Sequence, residues 1–382
     1  VVETARAVTV LVVPKGCRIA IVGCGFIGGL HSMVLRGLRR GDIITDEVVA
    51  TCDQDITRAQ LLAESHSAPL ATTDPSEAIA ACDVAWICTP TSTHFELIAE
   101  AARRGIGVYC EKPLAPMLSE AQALAEVARS AQLAVQVGLV LRHSPALKLI
   151  AELIGSGEFG RPMAAVLRDD QYFPIQGQYA SDWRADVTIA GGGTLIEHSI
   201  HDFDLLCWLL GPAVEVTAHT ASFASHAGIE DAAVATMAHR GGATSSLTSV
   251  WHGMLSRPST RRLEVFCERA LIWTEDEHVG PVWLRTDVGE RQVLNAPDSD
   301  EERMVSAVVS ALELPELLRG PLTSYVLADE AFLGAVRRAE DPHPGLAEAL
   351  EAHRNVEAAY RSARRATLAT PSRCEEDRTD AE

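Results

Sequence analysis

From Cys17 onward, short apolar runs rich in β-branched residues alternate with stretches whose apolar positions recur at helical spacing. The runs CRIAIV (17–22), EVVATC (47–52), DVAWIC (83–88), GVYC (107–110) and LAVQVG (133–138) read as strands. Between them, segments such as 96–104 and 119–131 place an apolar stripe on one helix face. Such alternation predicts a parallel sheet covered by helices on both faces, an α/β arrangement.

After about Leu141 the pattern changes. A helix over 145–154 and a second one after Gly193 are followed by six strand-like runs at 214–221, 232–239, 244–252, 261–267, 271–274 and 282–285. Short turns such as 240–242 join them, which predicts an antiparallel sheet and an α+β second domain. Helical spacing returns over 301–318, 324–340 and 346–363, with DPHPG at 341–345 as a breaker. The expected organisation is a loose extension over 1–16, an α/β domain over 17–140, an α+β domain over 141–366 and a disordered tail over 367–382.

Composition narrows the function classes. At 382 residues, with 47% hydrophobic and 22% charged positions, the chain reads as a globular protein of two domains. A formal net charge of -19 and the lack of a basic stripe argue against nucleic acid or an anionic membrane surface as a partner. The apolar patch near the N-terminus is too short to span a bilayer and lacks the marks of a signal peptide. Nine cysteines with no C-x-x-C pair fit reduced, buried thiols and a cytoplasmic location.

Chemistry gathers where the runs end. Gly23, Gly25 and Gly28 form G-x-G-x-x-G directly after the first strand, and a helical pattern begins at Phe26 and Ile27. A turn without side chains lets a pyrophosphate reach a helix N-terminus, where free N–H groups favour an anion. Asp53 ends the second strand, where a carboxylate accepts hydrogen bonds from ribose hydroxyls and repels a 2'-phosphate, so NAD is expected rather than NADP. Thr89, Pro90, Thr91 and His94 follow the third run, at the edge where open α/β sheets bind ligands. His94 there is read either as a site residue or as a group bonded to its own turn. Glu111, Lys112 and Pro113 follow the fourth run, and a lysine at that edge can stabilise negative charge developing on a substrate oxygen.

The stretch GGGTLIEHSIHDFD (191–204) sets Glu197 and His201 four residues apart, a spacing that puts a carboxylate and an imidazole on one helix face as an acid/base pair. His198 is read as structural or supporting, and Asp204 as either an orienting group or a helix ion pair. Neither H-E-x-x-H nor H-x-x-E-H is present, and no metal site is expected.

Taken in order, Gly23 to Gly28, Thr89-Pro90 with His94, Glu111-Lys112-Pro113, Val137-Gly138 with Arg142 and Pro145, Trp183-Arg184, and Gly191 to Asp204 resemble the motifs of the glucose-fructose oxidoreductase/inositol 2-dehydrogenase/rhizopine-catabolism (Gfo/Idh/MocA) family. The likeness runs over about 17–367. It implies a Rossmann NAD-binding domain, an open-faced sheet used for homodimer or homotetramer assembly, and an active site between the two. It also implies a dehydrogenase acting on a secondary alcohol of a cyclic polyol or sugar. The family's catalytic lysine falls on Lys112 and its helix pair on Glu197 and His201, with Glu197 in place of the usual Asp. Arg142, Trp183 and Arg184 fall where the family's substrate pocket forms. Tyr172, Phe173, Trp251 and His252 are read as sheet packing or pocket lining. Relatives of other classes, a redox-neutral NAD-retaining glycosidase and a non-enzymatic nucleotide-binding regulator, remain as alternatives.

Overall fold

A computed structural model describes residues 16–257, 259–293 and 299–368. Apart from Gly16 and the last turn of the chain's final helix, the expected N-terminal extension and C-terminal tail lie outside the described residues.

The first layer is built from β1 (Arg18–Val22), α1 (Phe26–Arg40), β2 (Glu47–Cys52), α2 (Ile56–His66), β3 (Leu70–Thr72), α3 (Pro75–Ala80), β4 (Val84–Ile87), α4 (His94–Arg104), β5 (Gly107–Cys110), α5 (Leu118–Ser130) and β6 (Val135–Val137). Its six strands run parallel in the order β3-β2-β1-β4-β5-β6. The switch in winding direction between β1 and β4 opens a crevice at the carboxyl ends of the strands. All five of the strands read from the sequence are present. The sixth, β3, is only three residues long and lacks a periodic signal of its own.

The second layer follows with α6 (Pro145–Gly155), β7 (Pro162–Tyr172), α7 (Val187–Ala190), α8 (Thr194–Glu197), α9 (Ile200–Leu210), β8 (Ala213–Ala221), β9 (Ala232–His239), β10 (Thr244–His252), β11 (Thr260–Cys267), β12 (Ala270–Thr274), β13 (Val282–Thr286) and β14 (Gly289–Val293). The eight strands are ordered β14-β13-β12-β11-β7-β10-β9-β8. Pairing is antiparallel except between β7 and β10, so the expected antiparallel sheet is mixed at its centre. The central strand β7 is not among the expected runs because its second half reads Arg168-Asp169-Asp170-Gln171, a charged sequence that imitates a loop.

One face of this sheet buries Leu167, Ala235, Leu247, Leu263 and Val265 against Leu147, Ile150, Phe203 and Leu206 of α6 and α9. Strict alternation of buried and half-exposed positions along β9 to β11 leaves the other face open. The chain then returns to the first layer. Val305 and Val308 of α10 (Asp300–Ala311) and Phe332 and Leu333 of α11 (Arg319–Arg338) share a core with Leu35, Leu38, Trp86 and Tyr109. The last helix, α12 (Leu346–Leu368), touches α5 and β6 on one side and β8 and α9 on the other, tying the layers together.

Candidate active site

The glycine turn after β1 is shaped by two close contacts and one opening. Gly23 has φ +94° and a Cβ there would run into the backbone of Cys88 and Thr89; a Cβ at Gly28 would overlap the Gly23 carbonyl. Gly25, the N-cap of α1, has nothing within 4 Å of its would-be Cβ, and no side chain caps the helix. The opening above Gly25, Phe26 and Ile27 is therefore a cradle for an anionic group at a helix N-terminus. Asp53 is locked beside it: one carboxylate oxygen accepts from the Cys24 N–H at 2.7 Å and the other from the Asp55 N–H at 2.9 Å. These residues fit the adenosine and pyrophosphate parts of a dinucleotide.

Beyond β4 a 3-10 turn spans Thr91–Thr93. His94 is buried and donates through Nε2 to the Thr89 carbonyl at 3.1 Å, and burial holds its pKa below the usual histidine range. This geometry is that of a neutral residue pinning its own turn. Thr93 Oγ1 donates to Thr89 Oγ1 at 2.7 Å, and Thr91 Oγ1 reaches across the crevice to Glu197 Oε1 at 3.0 Å.

Lys112 leaves the end of β5 through a cis Lys112–Pro113 bond, and its Nζ donates to the Glu197 carbonyl oxygen at 2.6 Å. Burial lowers the Lys112 pKa, against the pull of Glu197. Its neighbour Glu111 is buried and turns its carboxylate onto His31 Nε2 at 3.2 Å and the Lys112 N–H at 3.3 Å. Gly138 leaves room for that carboxylate, which a Cβ at this position would strike.

The triple glycine gives the opposite wall its close approach. A Cβ at Gly191, Gly192 or Gly193 would overlap Pro116, Tyr360 or the Glu230 backbone respectively. The buried Glu230 carboxylate accepts from the Gly193 N–H at 2.8 Å and the Leu195 N–H at 2.9 Å, fixing the start of α8. The expected single helix is then interrupted. α8 stops at Glu197, His198 takes φ -121° and ψ -59°, the Ser199 N–H bonds back to the Thr194 carbonyl at 2.7 Å, and α9 begins at Ile200.

Glu197 and His201 therefore do not share a helix face, and Glu197 does not orient the imidazole. Its carboxylate is held by Thr91 from the first layer and by Arg184 Nε at 3.1 Å from the second. Arg184 lies 4.3 Å over the Trp183 ring. His201 is buried, its Nδ1 has no hydrogen-bond partner among the described residues, and burial together with Lys112, Arg261 and His198 holds its pKa well below the usual histidine range. It is neutral at pH 7 and so able to take a proton.

Arg142 is positioned differently from the residues just described. It forks onto Asp204 with two 2.8 Å bonds and lies 5.5 Å from the Trp208 ring, a brace from the turn before α6 to α9. Asp204 accordingly occupies an ion pair rather than facing His201. Phe173 and Trp251 pack edge to face at 4.9 Å in a small core that Trp183 adjoins, and Tyr172 lies 5.4 Å from Tyr179. His252 sits 3.4 Å from Asp170.

Beneath the site lies a buried cluster that sequence reading missed. Arg261 on β11 donates through Nε to Asp202 at 2.8 Å, through Nη2 to Asp169 at 3.1 Å and through Nη1 to Glu277 at 3.3 Å. His198 Nε2 is 2.8 Å from Asp169. Burial and the neighbouring Asp169 push the Asp202 carboxyl up to about 7, whereas Arg261 stays charged because three carboxylates outweigh its burial. The available signal was the charged run in β7 set between apolar neighbours.

Comparison with known proteins decides the family. The model described as "Oxidoreductase family, NAD-binding Rossmann fold" matches residues 17–139, and that of the GFO/IDH/MocA C-terminal domain matches 147–273. The chain belongs to the Gfo/Idh/MocA oxidoreductase family. Inositol 2-dehydrogenase of Rhizobium meliloti is 30% identical over 53% of this chain and 58% of its own length. Myo-inositol 2-dehydrogenase of Thermotoga maritima is 26% identical over 72% of this chain and 80% of its own. The chain thus spans less than two thirds of the first of these relatives. An oxidoreductase from Agrobacterium radiobacter, solved with NAD+, L-tartaric acid and magnesium, has the same fold, with a TM-score of 0.76 at 20% identity over 92% of this chain and 97% of that one. Family membership brings with it the NAD-binding Rossmann domain whose glycine turn and Asp53 are described above. Among the described residues, no helix is long and apolar enough to cross a membrane, and no group of three or more His, Cys, Asp or Glu could hold a metal ion.

Proposed function

We propose that the protein is an NAD(H)-dependent oxidoreductase that transfers a hydride to or from a secondary alcohol carbon of a cyclic polyol or sugar. The observation that carries this reading is the meeting of Lys112, from the cofactor-binding layer, with Arg184, from the second layer, on Glu197, with His201 close enough to the Lys112 ammonium for the two groups to couple. NAD would be held by the Gly23–Gly28 turn and Asp53, with Thr89, Pro90, Thr91 and Glu111 along the crevice, and would supply the two-electron acceptor. In the oxidative direction the neutral His201 takes the hydroxyl proton, while the Lys112 ammonium hydrogen-bonds the same oxygen as negative charge builds on it. Glu197 fixes Lys112 through its carbonyl and Arg184 through its carboxylate. Arg184 stacks on Trp183, and its two terminal nitrogens have no protein partner among the described residues, a donor set suited to vicinal hydroxyls or a carboxylate. The inositol 2-dehydrogenase relatives support a polyol.

The test is to mix the protein with NAD or NADP and a panel of inositols, sugars and sugar acids and follow absorbance of the reduced nicotinamide. Stoichiometric reduction of NAD by at least one polyol is expected. Glycoside hydrolysis without net reduction would favour the redox-neutral reading, and no response with any compound would refute hydride transfer on polyols.

A further inference from the structure

His201 has no side-chain hydrogen bond of its own among the described residues, so its direction depends on how the backbone around the α8–α9 break is anchored. Two anchors are visible, both from the second sheet. Ser249 on β10 meets the hydroxyls of Thr194 and Ser199 at 2.6 Å each. Arg261 on β11 holds Asp202, the residue after His201, at 2.8 Å, and its Nη2 is 3.1 Å from His198 Nε2, three residues before His201. The guanidinium therefore holds the chain at Asp202 directly and at His198 either directly or through Asp169, to which both groups bond. Asp169 and Glu277 complete the fork and keep it in place.

We propose that Arg261 is a positioning residue for the reaction: it clamps Asp202 and His198, the residues that bracket His201, and so sets the direction of the imidazole. The inference rests on the reading of His201 as the base. It assigns a task to a residue that would touch neither substrate nor cofactor.

The charges around this pair are few. His201 faces the Lys112 ammonium from the end of β5, His198 from its own segment and Arg261 from the sheet. Arg261 faces Asp169 from β7, Asp202 from α9 and Glu277 from the loop after β12, with the phenols of Tyr179 and Tyr325 farther off. His198 Nε2 lies within hydrogen-bond reach of both Asp169 and an Arg261 N–H, and it can serve only one of them at a time: as a donor to Asp169 or as an acceptor from Arg261. Arg261, Lys112 and burial push His201 in the same direction, so removing Arg261 together with Asp202, one charge of each sign, should let His201 gain a proton at higher pH.

The experiment uses the full chain with NADH bound. Histidine-labelled wild type, Arg261→Gln/Asp202→Asn and Arg261→Lys are titrated by NMR, with His201→Gln identifying the His201 resonance, and kcat is measured across the same pH range on the best polyol. The double variant is expected to bind NADH within about twofold of wild type, to raise the His201 midpoint by about one pH unit or more, and to move the acid limb of kcat by the same amount. Arg261→Lys keeps the charge but loses the fork, so kcat should fall about tenfold with the His201 midpoint unchanged. A His201 midpoint that stays put in the folded, NADH-bound double variant overturns the proposal, whatever happens to turnover. If the double variant does not fold, Arg261→Lys decides: wild-type kcat overturns the proposal. Absence of polyol turnover in the wild type would refute the proposed function; the NMR midpoint would still judge the clamp.

Discussion

Replacing His31 by glutamine should destabilise the protein by several kcal/mol and remove a specific part of its pH dependence. His31 lies on α1 with no exposed surface, its Nδ1 at 2.8 Å from Asp329 and its Nε2 at 3.2 Å from Glu111. Both carboxylates accept, so both ring nitrogens must donate and the ring is an imidazolium. Burial alone would lower its pKa, but Asp329 and Glu111 together lift it to about 10. Glutamine can donate from one nitrogen only and leaves two buried carboxylates without a cation. Removing one partner of a buried ion pair costs about 3–5 kcal/mol.

The sign of the pH effect follows from proton counts. The folded state holds this proton up to about pH 10, whereas the unfolded chain releases it near 6.5, the ordinary histidine value. Stabilisation from His31 is therefore complete below 6.5 and is lost as pH rises through about 10, at up to ~1.4 kcal/mol per unit. Urea unfolding of wild type and His31→Gln across this range, followed by far-UV circular dichroism, isolates the term as the difference between them. The gap should be widest at the acid end and close toward the alkaline end. A gap that stays constant across the window, or one smaller than about 1 kcal/mol near neutral pH, would show that His31 is not the charged hub inferred here.

Three further outcomes follow from the site. His201→Gln should lower kcat by about 100-fold to 10,000-fold while NADH binding by fluorescence stays within about twofold, and turnover near the wild-type level would remove His201 from the mechanism. Because His201 is held well below the usual histidine range, the acid limb of wild-type kcat should lie below pH 6.5, and a limb on the alkaline side of that value would contradict a neutral base. Gly193→Ala should lower stability by about 1–3 kcal/mol in thermal or urea unfolding, because its methyl group would enter the Glu230 backbone; an unchanged midpoint would show that the wall can yield.

Much of the first layer was legible because a parallel sheet buried on both faces writes its strands as continuous apolar runs, as in VAWI of β4. The glycine turn was legible for a related reason: a strand, a turn without side chains and a helix start follow one another within a dozen residues. β7 was not legible. Its charged second half supplies Asp169 to a cluster whose other members, Asp202, Arg261 and Glu277, come from distant parts of the chain, and no local periodicity marks a strand recruited for such a purpose. Likewise the four-residue spacing of Glu197 and His201 suggested one helix face, but the backbone break at His198 turns the carboxylate toward Thr91 and Arg184.

What the sequence alone determined about this protein is the set of local decisions: where strands end, where glycine must stand, and which residues able to do chemistry lie at the sheet's edge. It placed Lys112 and His201 in separate motifs 89 positions apart in the chain. The tertiary structure decided which of these groups face one another. It gave Arg142 to Asp204, fixed Glu197 between the two layers, and set Arg261 under His201. Hydrogen bonds and charge coupling depend on distances of a few ångströms between segments that lie far apart along the chain, and only the packing of the two layers fixes those distances.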